Sequence, residues 1–194
     1  MTEIVRARHA LNPYLKDLAD RSPYHFKRHA IQSCLYGVDI DAGAVEIARL
    51  RLWLSLVVDE EQPSPLPNLD YKVVEGNSLY SLPFKSQGLL AIQEAKRQFF
   101  GETDHDRKAK LKADIDDRIE RLLIASERSL GYRVKFDFML YFSEAFEGAR
   151  KGFDIVIGNP PYLNVQLVSP EDKDYFAKAF KTFYKRFDVF GLFF

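Results

Sequence analysis

Residues 35–58 read LYGVDIDAGAVEIARLRLWLSLVV. Leu35 to Ile40 is a short apolar run broken only by Asp39 near its end, which predicts a buried strand. Asp41 follows as a helix N-cap. From Ala42 to Val58 the chain is rich in Ala, Leu, Val and Arg and holds no proline, so a helix is expected. Val45, Ala48, Leu52 and Leu56 recur at helical spacing, and Leu54 and Val57 widen the stripe. That width predicts a helix packed on a sheet. Outward from this unit, Pro63, Pro65 and Pro67 make a stiff loop. Tyr71-Lys72-Val73-Val74 reads as a second strand and Glu75-Gly76-Asn77-Ser78 as the loop that leaves it. Strand, helix and strand in this order imply a right-handed parallel unit. Phe153-Asp154-Ile155-Val156-Ile157-Gly158 reads as a third strand, central and buried, because it is apolar, β-branched and bounded by glycine. It runs directly into Asn159-Pro160-Pro161-Tyr162. The fold class is therefore α/β.

The chain has 194 residues, with 46% hydrophobic and 29% charged, which fits one domain or one domain with an appendage. Lys and Arg number 28, as do Asp and Glu, so the net charge is zero. That argues against a mainly electrostatic binder of nucleic acid or membrane and leaves room only for a local basic face. Cys34 is the single cysteine, which excludes an internal disulfide and a cysteine-rich zinc site and suits the cytoplasm. Met1 to Asp20 lacks the apolar core of an export signal. The longest apolar stretch, Leu50 to Val58, is too short to span a bilayer. Helices are expected within Tyr14–Asp20 and around Tyr24–Ser33.

Residues 84–150 change in character. Leu111, Ile115, Ile119 and Leu122 mark an amphipathic helix within a highly charged run. Two helices, 87–100 and 106–129, are expected as a hairpin that forms a solvated insertion or, alternatively, touches DNA or a partner. Segment 175–187 interleaves Tyr175, Phe176, Phe180, Phe183, Tyr184 and Phe187 with lysines. It reads as a helix that either contacts nucleic acid or packs as a core helix with snorkelling lysines. Val189 to Phe194 reads as a short strand. His9, His25 and His29 read as surface or core histidines; no metal site is expected. The organisation is 1–83, 84–150 and 151–194.

The Asn159-Pro160-Pro161-Tyr162 corner carries the chemistry. Open parallel sheets bind ligands beyond the carboxyl ends of their strands. Two prolines fix φ and offer no N–H donors, so the corner is rigid and its carbonyls project as acceptors. Asn159 adds a side-chain carbonyl and Tyr162 a flat ring. The set suits a planar group with an exocyclic amine: two acceptors for two N–H hydrogens and an aromatic face for stacking. An aryl amine is a poor nucleophile because its lone pair is delocalised. Acceptors set out of plane pull the nitrogen towards tetrahedral geometry, and fixed carbonyl dipoles stabilise the positive charge that develops on it.

FDIVIGNPPYLNVQ resembles the catalytic motif of class I N6-adenine DNA methyltransferases, and YGVDIDAGAVEIARLRLWLSLVVDE is similar to their second-strand region. With PLPNLDYKVVEGNSL, the likeness covers 35–82 and 151–194. It points to the large restriction-modification and phage-defence enzymes, which carry a helical insertion. The resemblance implies a Rossmann-like class I methyltransferase sheet and S-adenosyl-L-methionine as cofactor. Asp39 is implied to hold the cofactor's ribose hydroxyls, Ile40 to pack on its adenine, and Asn77 to stand where the family has an acid reading the adenine amine. Asn159 and the carbonyl of Pro160, stiffened by Pro161, are implied to grip the N6 amine of an adenine flipped from double-stranded DNA, with Tyr162 stacked on it.

One departure stands out. The family's glycine-rich loop after its first strand has no counterpart: Gly37 is the first glycine in the chain. In that fold the first strand lies between the second and the fourth, so the sheet is expected to be incomplete, with unpaired backbone at the gap. The chain therefore reads as an internal piece of a larger enzyme, or as a subunit whose complementary chain supplies the first strand and the target-recognition region. Cofactor binding by the chain alone is expected to be poor. Two alternatives remain: a protein-glutamine N5-methyltransferase, whose amide nitrogen poses the same lone-pair problem, and a non-catalytic remnant that binds DNA or a partner chain.

Overall fold

A computed structural model describes residues 6, 23–58, 68–82, 88–132, 134–147, 151–183 and 188–193. The expected helix at Tyr14–Asp20 and the triple-proline loop lie outside the described residues. Helix α1, Pro23–His29, continues into a π-helical turn, Ala30–Cys34. Two parallel strands follow, β1 at Gly37–Asp39 and β2 at Val73–Glu75, in the register Gly37↔Val73, Val38↔Val74 and Asp39↔Glu75. Backbone bonds extend the pairing at both ends: Gly37 N–H donates to Lys72 O at 2.7 Å, and Gly76 N–H to Asp39 O at 2.8 Å.

Helix α2, Ala42–Val57, links the two strands. Asp41 caps it as the sequence predicts, its carboxylate accepting from Ala44 N–H at 3.0 Å. Val45 and Leu56 are buried. Arg49 fastens the helix to β2, donating to Val73 O at 2.9 Å and Asp70 O at 3.3 Å. The buried stripe is narrower than expected. Leu54 and Val57 are exposed, as are Ile47 and Leu50 on the same helix. One side of α2 meets the strands; towards its end Leu56, with Leu52 and Trp53, packs against Tyr24 of α1, Ile31 of the π-helical turn and Leu69, and Lys27 Nζ donates to Ser55 O at 3.2 Å.

Helices α3, Leu89–Gly101, and α4, His105–Leu130, form the expected hairpin. Asp104 caps α4, and Gly131 ends it with φ 77°, the left-handed conformation that favours glycine. The hairpin is more than a solvated appendage. Ile92, Ala95 and Phe99 of α3 and Ile115 and Ile119 of α4 form one buried cluster with Tyr71 and Leu140. Tyr71, on the approach to β2, donates its hydroxyl to Asp116 of α4 at 2.7 Å. Burial and that bond push the Tyr71 hydroxyl well above the usual phenol range.

A charged knot fixes the same junction. Glu144, in the 3-10 turn Ser143–Phe146 that follows the short helix α5, Phe138–Tyr141, bridges two buried lysines. Its carboxylate lies 2.8 Å from Lys72 Nζ and 3.0 Å from Lys96 Nζ. Burial favours the neutral acid, but the two ammonium groups outweigh it and hold Glu144 below the ordinary carboxylate range. Lys96 of α3 is more deeply enclosed, and burial pulls its pKa down despite the carboxylate. Lys72 also donates to Tyr36 Oη at 2.9 Å.

Three expectations fail. Residues 153–158 form no strand. Ile155, Val156 and Ile157 are 79%, 81% and 91% exposed rather than central and buried. Only the start is seated: the Phe153 ring packs at 5.4–6.0 Å from those of Tyr36, Phe142 and Phe146. A strand needs hydrogen-bonded neighbours, and the only sheet among the described residues is β1–β2. Second, the lysine-rich helix starts and stops earlier than read. Helix α6 is Pro170–Ala179, with the Ser169 hydroxyl accepting from Asp172 N–H and Pro170 in the first turn. Those N-terminal signals outrank the downstream aromatic pattern. Third, Val189–Phe193 is a 3-10 turn, not a strand. Val189 and Leu192, three apart, both bury against Leu79 and Phe176, which suits a period near three rather than two.

Candidate functional site

Asp39 and Ile40 at the end of β1 and Asn77 in the loop after β2 come together at one end of the sheet. Asp39 ends β1, and its carbonyl accepts from Gly76, which leads β2 into Asn77. Asp39 is exposed, and its carboxylate accepts from Asp41 N–H at 2.9 Å. A carboxylate has lone pairs for further donors after that bond. Ile40 is 71% exposed, an apolar side chain held out beside the acid. Asn77 is half-buried and folds onto its own loop, its side-chain oxygen accepting from Leu79 N–H at 3.1 Å. Gly76 is required here by packing: a Cβ would lie 2.4 Å from Phe136. That contact was invisible in the sequence, since Gly76 and Phe136 are distant along the chain.

The diproline corner stands in solvent. Asn159 and Pro161 are exposed and Pro160 is half-buried. The Tyr162 ring is 85% exposed and lies 6.0 Å from that of Phe190, with the two planes only 19° apart. The corner is held from behind. Leu163 O accepts from Val189 N–H at 2.9 Å, and Asn164 bridges Asp188 in antiparallel fashion. Asn164 also closes its own turn by accepting from Gln166 N–H at 2.9 Å.

A single small core joins the two halves. Leu79, two residues beyond Asn77, buries against Phe176, Val189 and Leu192. Tyr80 stacks on Tyr175 of α6 at 4.6 Å and 17°, and its hydroxyl donates to Asp172. Ser81 N–H donates to Tyr175 Oη at 3.2 Å. The loop carrying Asn77 and the corner carrying Asn159 and Tyr162 are thus tied to the same 189–192 turn. Tyr80, Tyr175 and Phe190 were missed as site supports. The signal available in sequence was the density of aromatics from Tyr175 onward.

Among the described residues, no group of three or more His, Cys, Asp or Glu side chains could hold a metal ion. No helix among them is long and apolar enough to cross a membrane.

Residues 33–194 match the family model of the Eco57I restriction-modification methylase. The chain belongs to that family. It is 25% identical over 179 residues to the type II restriction enzyme and methyltransferase RM.Eco57I of Escherichia coli, an alignment that covers 88% of this chain and 13% of the relative. It is 52% identical over 62 residues to RM.MjaORFECS2P of Methanocaldococcus jannaschii, a candidate type II restriction enzyme and methyltransferase; that alignment covers 29% of this chain and 5% of the relative. The matched regions are small parts of much longer proteins. No solved structure matches the chain.

Proposed function

We propose that this chain carries the base-holding part of a restriction-modification DNA methyltransferase that methylates the N6 amine of adenine. The observation that carries the reading is the outward-facing Asn159-Pro160-Pro161-Tyr162 corner, with Tyr162 85% exposed and its backbone braced by Val189. Family membership supports methyl transfer to DNA. The Asn159 amide oxygen and the Pro160 carbonyl accept the two amine hydrogens and localise the nitrogen lone pair. Pro161 holds that geometry, and Tyr162 stacks on the base. Double-stranded DNA is the substrate, and the base leaves the duplex to reach the corner.

S-adenosyl-L-methionine is the implied donor and supplies an electrophilic methyl when bound. The residues present fit its nucleoside end. Asp39 offers an exposed carboxylate to ribose hydroxyls, and Ile40 offers an apolar face. Asn77 keeps one side-chain oxygen lone pair for an adenine amine after bonding Leu79 N–H. No glycine-rich loop precedes Gly37 to receive the methionine end. The fold is read as an incomplete Rossmann-like class I methyltransferase sheet, divided as 1–83, 84–150 and 151–194. A complementary chain or segment would supply the strand that Ile155–Ile157 lacks. The cytoplasm is the expected compartment.

In the complete enzyme that carries these residues, Asn159→Ala removes N6-methyladenine from DNA, measured by mass spectrometry of digested nucleosides, while S-adenosyl-L-methionine still binds. Retained methylation overturns the assignment. A methyl-transfer assay that offers duplex DNA beside a translation release factor separates this reading from glutamine methylation. For the chain alone, calorimetric titration with S-adenosyl-L-methionine is expected to give weak binding. Tight binding would exclude a remnant that has lost its cofactor site.

A further inference from the structure

We propose that Phe190 is a positioning residue that backs the ring of Tyr162 and fixes the plane on which the base stacks. The inference rests on the base-holding reading of the corner. The two rings are nearly parallel, 19° apart, with centroids separated by 6.0 Å. A base lodged between them needs two van der Waals contacts of ~3.5 Å each, about 7 Å in all. The space is too narrow, so the base takes another face of Tyr162, whose ring remains 85% exposed with Phe190 beside it.

Phe190 is placed to do this by its neighbours in sequence. Val189 and Leu192 on either side are 5% and 4% exposed, seated against Leu79 and Phe176. Gly191 N–H donates to Asp188 O at 3.0 Å and closes the turn. Val189 N–H holds Leu163 O, one residue beyond Tyr162, at 2.9 Å. The backbone on both sides of the ring pair is thus fixed. Pro160 and Pro161 constrain the main chain before Tyr162 but not its side-chain torsions, which an 85% exposed ring would otherwise sample freely. A roughly parallel neighbouring ring narrows that sampling, because aromatic pairs favour offset-stacked geometry. Holding the ring in advance lowers the ordering cost of each binding event.

The test uses this chain and a thymine oligodeoxynucleotide carrying one 2-aminopurine, a fluorescent base with an exocyclic amine that is quenched on stacking. Binding is titrated at fixed salt, and the unfolding midpoint is followed in parallel. Tyr162→Ala is expected to abolish the protein-induced quench. Phe190→Ala is expected to keep part of the quench but weaken binding about fivefold to tenfold, and Phe190→Tyr to restore it. No quench with the unaltered chain, or a quench that survives Tyr162→Ala, overturns the base-holding reading and this proposal with it. A Tyr162→Ala effect with Phe190→Ala binding as the unaltered chain does overturns the positioning role alone. Loss of the quench in Phe190→Ala as complete as in Tyr162→Ala, with the unfolding midpoint unchanged, would mean that Phe190 touches the base directly, which also overturns it.

Discussion

Val73-Val74 and Ile155-Val156-Ile157 are chemically alike, and the molecule treats them oppositely. The valines are buried in β2, paired with β1 on one side and covered by neighbouring side chains. The other three are 79%, 81% and 91% exposed and pair with nothing among the described residues. β-Branched apolar residues fit a strand only when backbone neighbours satisfy N–H and C=O and when side chains cover both faces. Around β2 the covering comes from α2, which Arg49 ties to Val73 O, and from Phe136 and Phe142 against Val74. Beyond Phe153 it is missing. Ile155, Val156 and Ile157 therefore form an exposed apolar run, whereas the valines of β2 are enclosed.

The contrast breaks most visibly at the charged knot on the packed side. Glu144→Gln leaves Lys72 and Lys96 enclosed without their carboxylate. Losing one partner of a buried ion pair costs about 3–5 kcal/mol, and Glu144 is 29% exposed, so the low end is expected. Urea unfolding reads this directly, and adding Lys96→Met should recover part of the loss. The same knot gives a pH signature. Glu144 has a depressed pKa in the folded chain, so its contribution is full above the ordinary carboxylate range, about pH 4.3. It is lost as pH falls through the depressed value. Lys96 works on the alkaline side. Its pKa is lowered, so the unfolded chain binds more protons there and stability gains as pH rises towards the ordinary lysine range. A Glu144→Gln chain should lose the part of the acid limb that Glu144 contributes to the unfolding profile.

Ile92→Ala tests the junction between insertion and strands without touching charge. Ile92 is fully buried beside Tyr71 and Phe99, so removing its side chain should cost about 2–5 kcal/mol. A cost near zero would return the hairpin to the solvated appendage that its charge pattern suggested. Gly76→Ala comes next. The new methyl overlaps Phe136 at 2.4 Å, and over-packing of this kind costs about 1–3 kcal/mol. Because Gly76 adjoins both Asp39 and Asn77, the same change should also disturb the end of the candidate site proposed to hold the cofactor. Paired Gly76→Ala and Phe136→Ala would restore room if the clash is the cause.

The parts legible in sequence were those set by local signals. Asp41 announced its helix, and the stripe through Ile115 and Ile119 gave the long helix of the insertion. The parallel pairing followed from strand, helix and strand in order. The failures share a different cause. Phe153–Gly158 carries strand chemistry, but strand formation depends on what lies alongside, and no run of letters states that. Leu54 and Val57 were assigned to a buried face for the same reason. Glu144 between Lys72 and Lys96, Gly76 against Phe136, and Phe190 against Tyr162 are meetings of residues far apart in the chain. Helical or strand periodicity does not reach across such distances.

The smallest expected effect is the most informative about the open side. Ile157→Ala should change the stability of this chain by no more than about 0.5 kcal/mol, because a residue 91% exposed has almost no buried area to lose. The same is expected of Val156→Ala. Amides of 155–157 should exchange with solvent far faster than those of Val73 and Val74, which sit inside the paired strand. If Ile157→Ala instead costs as much as Ile92→Ala, the segment is covered in solution, and a covering copy would show as concentration-dependent unfolding. If it is silent in the isolated chain but costly once a complementary polypeptide is bound, the exposed run is the strand position that polypeptide fills. The difference between the two sides of the molecule would then measure how much of the sheet the partner completes.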